Sequence, residues 1–197
     1  MKNLTEHSKH YTSNVWHVCG TYRSLSDLNT LIDVGRDPAI IELLESVRCG
    51  LGKRSVDQVI LTHSHFDHAG LLPKIREKFK PEVYAHPLSR SEKIIPLSDR
   101  QKINIGDRAC MAVHSPGHSD DSLCILCEEE HLLFSGDVPI RVYSTDGEFP
   151  SQFQDAYELF VSAEIKIIYP GHGETVINDV PRLMEESLRN IRQSRII

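Results

Sequence analysis

No stretch of this chain approaches the roughly twenty consecutive apolar residues that a membrane-spanning helix needs. Residues 1 to 16 are polar and hold no apolar core of the kind a secretory leader carries. The expectation is a cytoplasmic protein with no membrane partner. Basic residues are in the minority: 22 Lys and Arg face 28 Asp and Glu, for a formal charge of −6 with histidine neutral. Polyanion binders usually carry a basic excess, so nucleic acid is disfavoured and a small-molecule substrate is expected. The five cysteines, Cys19, Cys49, Cys110, Cys124 and Cys127, are odd in number and irregular in spacing. They make no disulfide framework and are expected to be reduced. No repeat, low-complexity tract or linker divides the 197 residues, so one domain spanning 1–197 is expected. No self-complementary apolar patch assigns an oligomeric state.

Histidine, by contrast, is abundant, with 11 in the chain. Three of them and an aspartate fall within Leu61-Thr62-His63-Ser64-His65-Phe66-Asp67-His68-Ala69-Gly70. Imidazole nitrogens with a carboxylate suit borderline divalent metals such as zinc. If the strand leading into this stretch continues through it, His63 and His65 leave one face and can reach one ion. Asp67 and His68, past the strand, can turn toward a second.

The rest of the chain alternates hydrophobic strands and amphipathic helices. Strands are expected over 15–19, 28–34, 56–61, 83–85, 109–113, 122–127, 131–134 and 165–169. Helices are expected after Pro38, after Pro73, over 152–163 and from Pro181. Residues 88–95 are a further helical candidate, 98–106 a connector, 138–150 a long loop, and 1–13 a loose terminus. Strands precede helices in both halves, which makes a layered mixed α/β fold.

Four strand ends carry metal-competent residues: the 63–68 cluster, His118 in Ser115-Pro116-Gly117-His118, Asp137 in Ser135-Gly136-Asp137, and His172 in Pro170-Gly171-His172-Gly173. Chemistry on loops at the ends of rigid strands is the common design of an active site. Cys124-x-x-Cys127 does not compete as a metal site, because positions three apart on a strand face opposite ways.

In order and rough spacing these motifs resemble those of the metallo-β-lactamase superfamily, and within it the hydrolase branch that includes glyoxalase II and lactonases. The resemblance covers about residues 15 to 177. It implies a four-layer αβ/βα sandwich. It implies that His63, His65 and His118 hold one ion, that Asp67, His68 and His172 hold a second, and that Asp137 bridges both. The cofactor is then two divalent ions, zinc first, with manganese and iron as alternatives. Asp33 matches a position that orients a ligand histidine from behind. Asp67 is the candidate catalytic residue, and Tyr22, Arg141 and Tyr143 are candidate substrate contacts in flanking loops. The reaction implied is dinuclear metal-dependent hydrolysis of an ester, thioester or lactone. Only residues 173 to 197 follow the last ligand, so no C-terminal substrate domain of glyoxalase II type is expected. Two rivals remain: a mononuclear-iron persulfide dioxygenase using His63, His118 and Asp137, and a non-catalytic module stabilised by metal.

Overall fold

The computed structural model describes residues 1–21, 27–47 and 54–197. Along the chain run β1 (Lys2–Asn3), β2 (Trp16–Val18), β3 (Thr30–Ile32), α1 (Ala39–Ser46), β4 (Gln58–Ile60), α2 (Phe66–Ala69), α3 (Leu72–Phe79), β5 (Glu82–Ala85) and β6 (Ile95–Pro96). There follow β7 (Lys102–Ile105), β8 (Arg108–His114), β9 (Leu123–Cys127), β10 (Leu132–Gly136), β11 (Glu148–Phe149), α4 (Ser151–Ser162), β12 (Ile167–Pro170), α5 (Val180–Gln193) and β13 (Arg195–Ile196).

Two sheets face each other. One has the strand order β1-β2-β3-β4-β5-β6 and the other β12-β10-β9-β8-β7. Successive strand residues point to opposite faces, and here both faces are apolar. Leu31 and Val59 pack outward with Ile40 and Leu44 of α1 and Ile75 of α3. Their neighbours Ile32 and Ile60 pack inward against Ala112, Ile125 and Phe134 of the second sheet. Cys124 and Leu126 then face Phe153, Tyr157 and Phe160 of α4 and Met184 and Ile191 of α5. Helix, sheet, sheet and helix are thus separated by three apolar layers, the four-layer arrangement expected. The two sheets being apolar on both faces is why β3, β4 and β9 read as continuous hydrophobic runs.

The helix signals held where proline and periodicity agreed. Pro38 stands at the N-cap of α1, and Pro181 lies in the first turn of α5. Lys80 takes a left-handed conformation that ends α3 before Pro81.

Several expectations give way. Residues 88–95 form no helix; Pro87 and the Ser-Arg-Ser run leave bends before the short β6. The 98–106 connector contains β7, recruited by pairing with β8 from Lys102↔Met111 to Ile105↔Arg108. The 1–13 terminus is not loose: β1 pairs with β2, and Leu4, Thr5 and Ser13 are buried. The cysteines are not all reduced either, because Cys110 and Cys127 form a disulfide. The β8–β9 register that sets Met111 opposite Leu126 continues to place Cys110 opposite Cys127, with Cα atoms 4.2 Å apart. That separation suits a directly opposed pair on antiparallel strands. Irregular spacing along the chain hid a pairing that only strand register creates. No helix among the described residues is long and apolar enough to cross a membrane.

Candidate metal centre

The strand β4 stops at Ile60, so His63 and His65 do not share a strand face as expected. They converge through the loop that follows. Asp33 shapes that loop. Its carboxylate accepts the Thr62 amide, the Thr62 hydroxyl and His68 Nδ1–H, each at 2.8 Å. Asp33 is itself in a left-handed conformation, which aspartate tolerates better than most residues. With Nδ1–H spent on Asp33, His68 keeps its Nε2 lone pair for the site. Asp33 thus stands directly behind the His68 ring.

Asp67 and His68 sit on the single-turn α2, and His118, Asp137 and His172 come from loops past β8, β10 and β12. His63 Nε2 and His118 Nε2 lie 3.0 and 2.9 Å from His65 Nδ1. On the other side His172 Nε2 lies 3.0 Å from Asp67 Oδ2, and His68 Nε2 lies 3.2 Å from Asp137 Oδ1. The structure therefore brings together two groups, His63–His65–His118 and Asp67–His68–Asp137–His172. Asp137 Oδ2 is 3.6 Å from both His118 Nε2 and His172 Nε2, and so stands between them. Two glycines permit this crowding. At Gly171 a Cβ would collide with Asp137 Oδ1 and His68 Cε1, and Gly136, at φ +50°, lies hard against Thr62.

Ring nitrogens about 3 Å apart and converging on one point are what ligands around an ion with bonds of roughly 2.0–2.1 Å look like. Two buried atoms, His68 Nε2 and Asp137 Oδ1, make no hydrogen bond although they face each other. A divalent cation would engage both lone pairs, so the donor set fits such ions. The electrostatics of the protein groups alone are polarised. Burial pushes His63 down to about 4. Burial also opposes charge on His68, but Asp33 and Asp137 outweigh it and hold that ring up to about 10. Burial would raise Asp137, yet the close approach and charge of His68 bring it down to about 2. Ion binding at His68 must therefore displace a firmly held proton.

The substrate candidates fare differently. Tyr22 lies outside the described residues. Arg141 and Tyr143 line a cavity of about 360 Å³ with Asn178, Arg182 and Asn190 of the α5 region, and none of the seven candidate ligands lines it. The N-terminal segment, by contrast, reaches the site unannounced. The Ser13 amide donates to Asp67 O at 3.1 Å and the Asn14 amide to Gly171 O at 2.6 Å. Asn14 Nδ2 donates to Pro170 O and Gly173 O, each at 2.9 Å. Tyr11 stacks on His172 at 5.3 Å, with Arg36 over the tyrosine ring at 5.9 Å. A polar, proline-free terminus carries no sequence signal for any of this.

A family model described as the metallo-beta-lactamase superfamily matches residues 14–172. The chain belongs to that superfamily. Among curated relatives of this metallo-β-lactamase-like chain is the atrochrysone carboxyl ACP thioesterase of Aspergillus fumigatus, 31% identical over 173 residues. That match covers 85% of this chain and 40% of the thioesterase. The lactamase-like protein aptB of Emericella nidulans is also 31% identical, over 91% of this chain and 57% of its own length. The chain thus spans about half the length of the curated relatives it matches. The solved structure of ETHE1 from Myxococcus xanthus superposes with a TM-score of 0.66 at 20% identity, covering 91% of this chain and 83% of that one. At that identity the likeness speaks to fold.

Proposed function

We propose that this metallo-β-lactamase-like chain is a metal-dependent hydrolase of small acyl thioesters, with esters and lactones as poorer substrates. The observation that carries the reading is the complete ligand set, two donor groups with Asp137 between them. Relatives named as thioesterases support thioesters as the substrate class within it. His63, His65 and His118 would hold one divalent ion, Asp67, His68 and His172 the other, and Asp137 both. When bound, the ions supply Lewis acidity and a water whose pKa is lowered toward about 7. Asp33 keeps His68 in the tautomer that presents Nε2. The Asp67 carboxylate, partly exposed and fixed by His172, is placed to hold a proton taken from the attacking water. A thiol leaving group of pKa about 8.5 departs as thiolate with little help, whereas an alkoxide needs that proton. This is why thioesters should be the better substrates.

The test is release of free thiol from a panel of acyl thioesters by protein carrying two zinc ions per chain, with oxygen-ester counterparts alongside. Asp137→Ala and Asp67→Ala should each lose at least about a hundredfold in turnover while keeping the circular dichroism of the parent. Full activity in either variant, or no thiol release from any thioester, would overturn the reading. One iron per chain with oxygen uptake on a persulfide would move the assignment to the dioxygenase.

A further inference from the structure

Zinc-binding histidines are usually oriented by a hydrogen bond on their second ring nitrogen. His68 follows that rule through Asp33. His65 and His118 do not. Both are exposed or nearly so, and among the described residues no hydrogen bond engages His65 Nε2 or His118 Nδ1. Something else must hold two solvent-facing rings on one point.

The geometry points to Asp121, and we propose that it is the positioning residue of the His63–His65–His118 site. Its side chain is buried, at 8% exposure. Ser64 Oγ–H donates to Asp121 Oδ2. Ser119 Oγ–H donates to Asp121 Oδ1 at 2.8 Å. Ser64 is the residue between His63 and His65, and Ser119 is the residue after His118. One carboxylate therefore grips the chain beside all three ligands and ties two loops, far apart in sequence, at a fixed separation. Each serine is anchored a second time. The Arg90 amide donates to Ser64 Oγ at 2.9 Å, and the Ser119 amide donates to Ser122 Oγ at 3.1 Å. His114 Nε2, 2.9 Å from Asp120 O, steadies the turn that carries Asp121. Asp33 and Asp121 thus divide the work. Asp33 aims one ligand of the second group by direct contact with its ring, and Asp121 aims the first group through the backbone.

This inference requires an ion at the first group and does not depend on the substrate. The experiment is therefore ion affinity, measured by zinc titration against a chromophoric chelator. The parent should take two ions. Asp121→Ala should weaken one of them about 10- to 100-fold, the range for partners that orient ligands, and leave the other unchanged. Asp121→Asn, which keeps one acceptor oxygen, should fall between. The site is identified by combining variants. In a His118→Ala background the remaining ion should not respond to Asp121→Ala, and in a His172→Ala background the full loss should appear. Ser119→Ala should reproduce part of the effect and serves if Asp121→Ala does not fold. Unchanged affinity for both ions would overturn the proposal. So would equal weakening of both with a matching fall in the melting temperature of the chelator-stripped protein, which marks general damage. Thioesterase activity enters none of these outcomes, so failure here is separable from failure of the hydrolase reading.

Discussion

Asp33 accepts three hydrogen bonds through one carboxylate that is 2% exposed, and each bond constrains the next. Replacing it by asparagine keeps size and the tolerance for left-handed backbone. It also introduces an NH₂ group where His68 Nδ1 now donates. The imidazole then gains by accepting at Nδ1, which puts its proton on Nε2 and blocks the ligand lone pair, the tautomer logic known from catalytic triads. Asp33→Asn should therefore lose one ion, with affinity down about 10- to 100-fold, while the fold survives. Metal content by mass spectrometry under native conditions reads this directly, and two ions held at parental affinity would contradict it. Some of the residue scale was legible beforehand: the seven candidate ligands carry their chemistry in their side chains, and motif spacing exposes them. Tyr11, Asn14 and Asp121 were not legible. A hydroxyl, an amide or a surface-looking Asp-Asp pair announces no partner until a distant loop is placed beside it.

At the scale of elements, the N-terminal segment and the β8–β9 pair show what pairing adds. Asn14 holds the Pro170–Gly173 loop with two side-chain hydrogen bonds. Asn14→Ala should cost about 1–3 kcal/mol, a fall of a few degrees in melting temperature. Amide exchange should quicken in residues 170–173 before it does in α4 or α5; uniform acceleration would mean global rather than loop loosening. The disulfide joins strands 17 residues apart in sequence. A loop of that size is worth about 3 kcal/mol in the chain-entropy account, so reductant should lower the melting temperature by on the order of 10 °C. A non-reduced peptide map should show Cys110 joined to Cys127, and an unchanged melt on reduction would remove the bond from the stability of the fold. The strands and helices themselves were largely readable, since both faces of the central strands are apolar and prolines mark helix starts. Among the missed strands, β1, β6 and β7 are short edge strands made by their neighbours rather than by their own pattern, and β11 and β13 pair only with each other.

For the whole molecule, opposed shifts at the centre set a pH optimum for the chelator-stripped protein. His68 is held up to about 10, so its stabilisation is complete below the ordinary value of 6.5 and is lost as pH rises toward 10. His63 is pushed down to about 4, so the unfolded chain binds that proton first and stability falls as pH drops from 6.5 toward 4. Asp137, down to about 2, adds a further loss only at more acid pH. Thermal melts in chelator should peak near pH 6.5, and His68→Gln should flatten the alkaline limb. A parent profile that climbs steadily to pH 9 would contradict the proton assigned to His68. Added zinc should raise the curve most at alkaline pH, where the ion no longer competes with that proton.

From the sequence alone came the ligand types, their order along the chain, the hydrophobic runs that become the two sheets, and the family these motifs resemble. Those features are local: they depend on side-chain chemistry and on periodicity within a few residues. The tertiary structure put distances on the grouping that the resemblance implied, and it alone decided that Asp121 links Ser64 to Ser119, that Asn14 meets the Pro170–Gly173 loop and that Cys110 meets Cys127. Each of these is a distance between segments far apart in the chain, set by sheet register and loop packing, and no pattern within a single segment contains it.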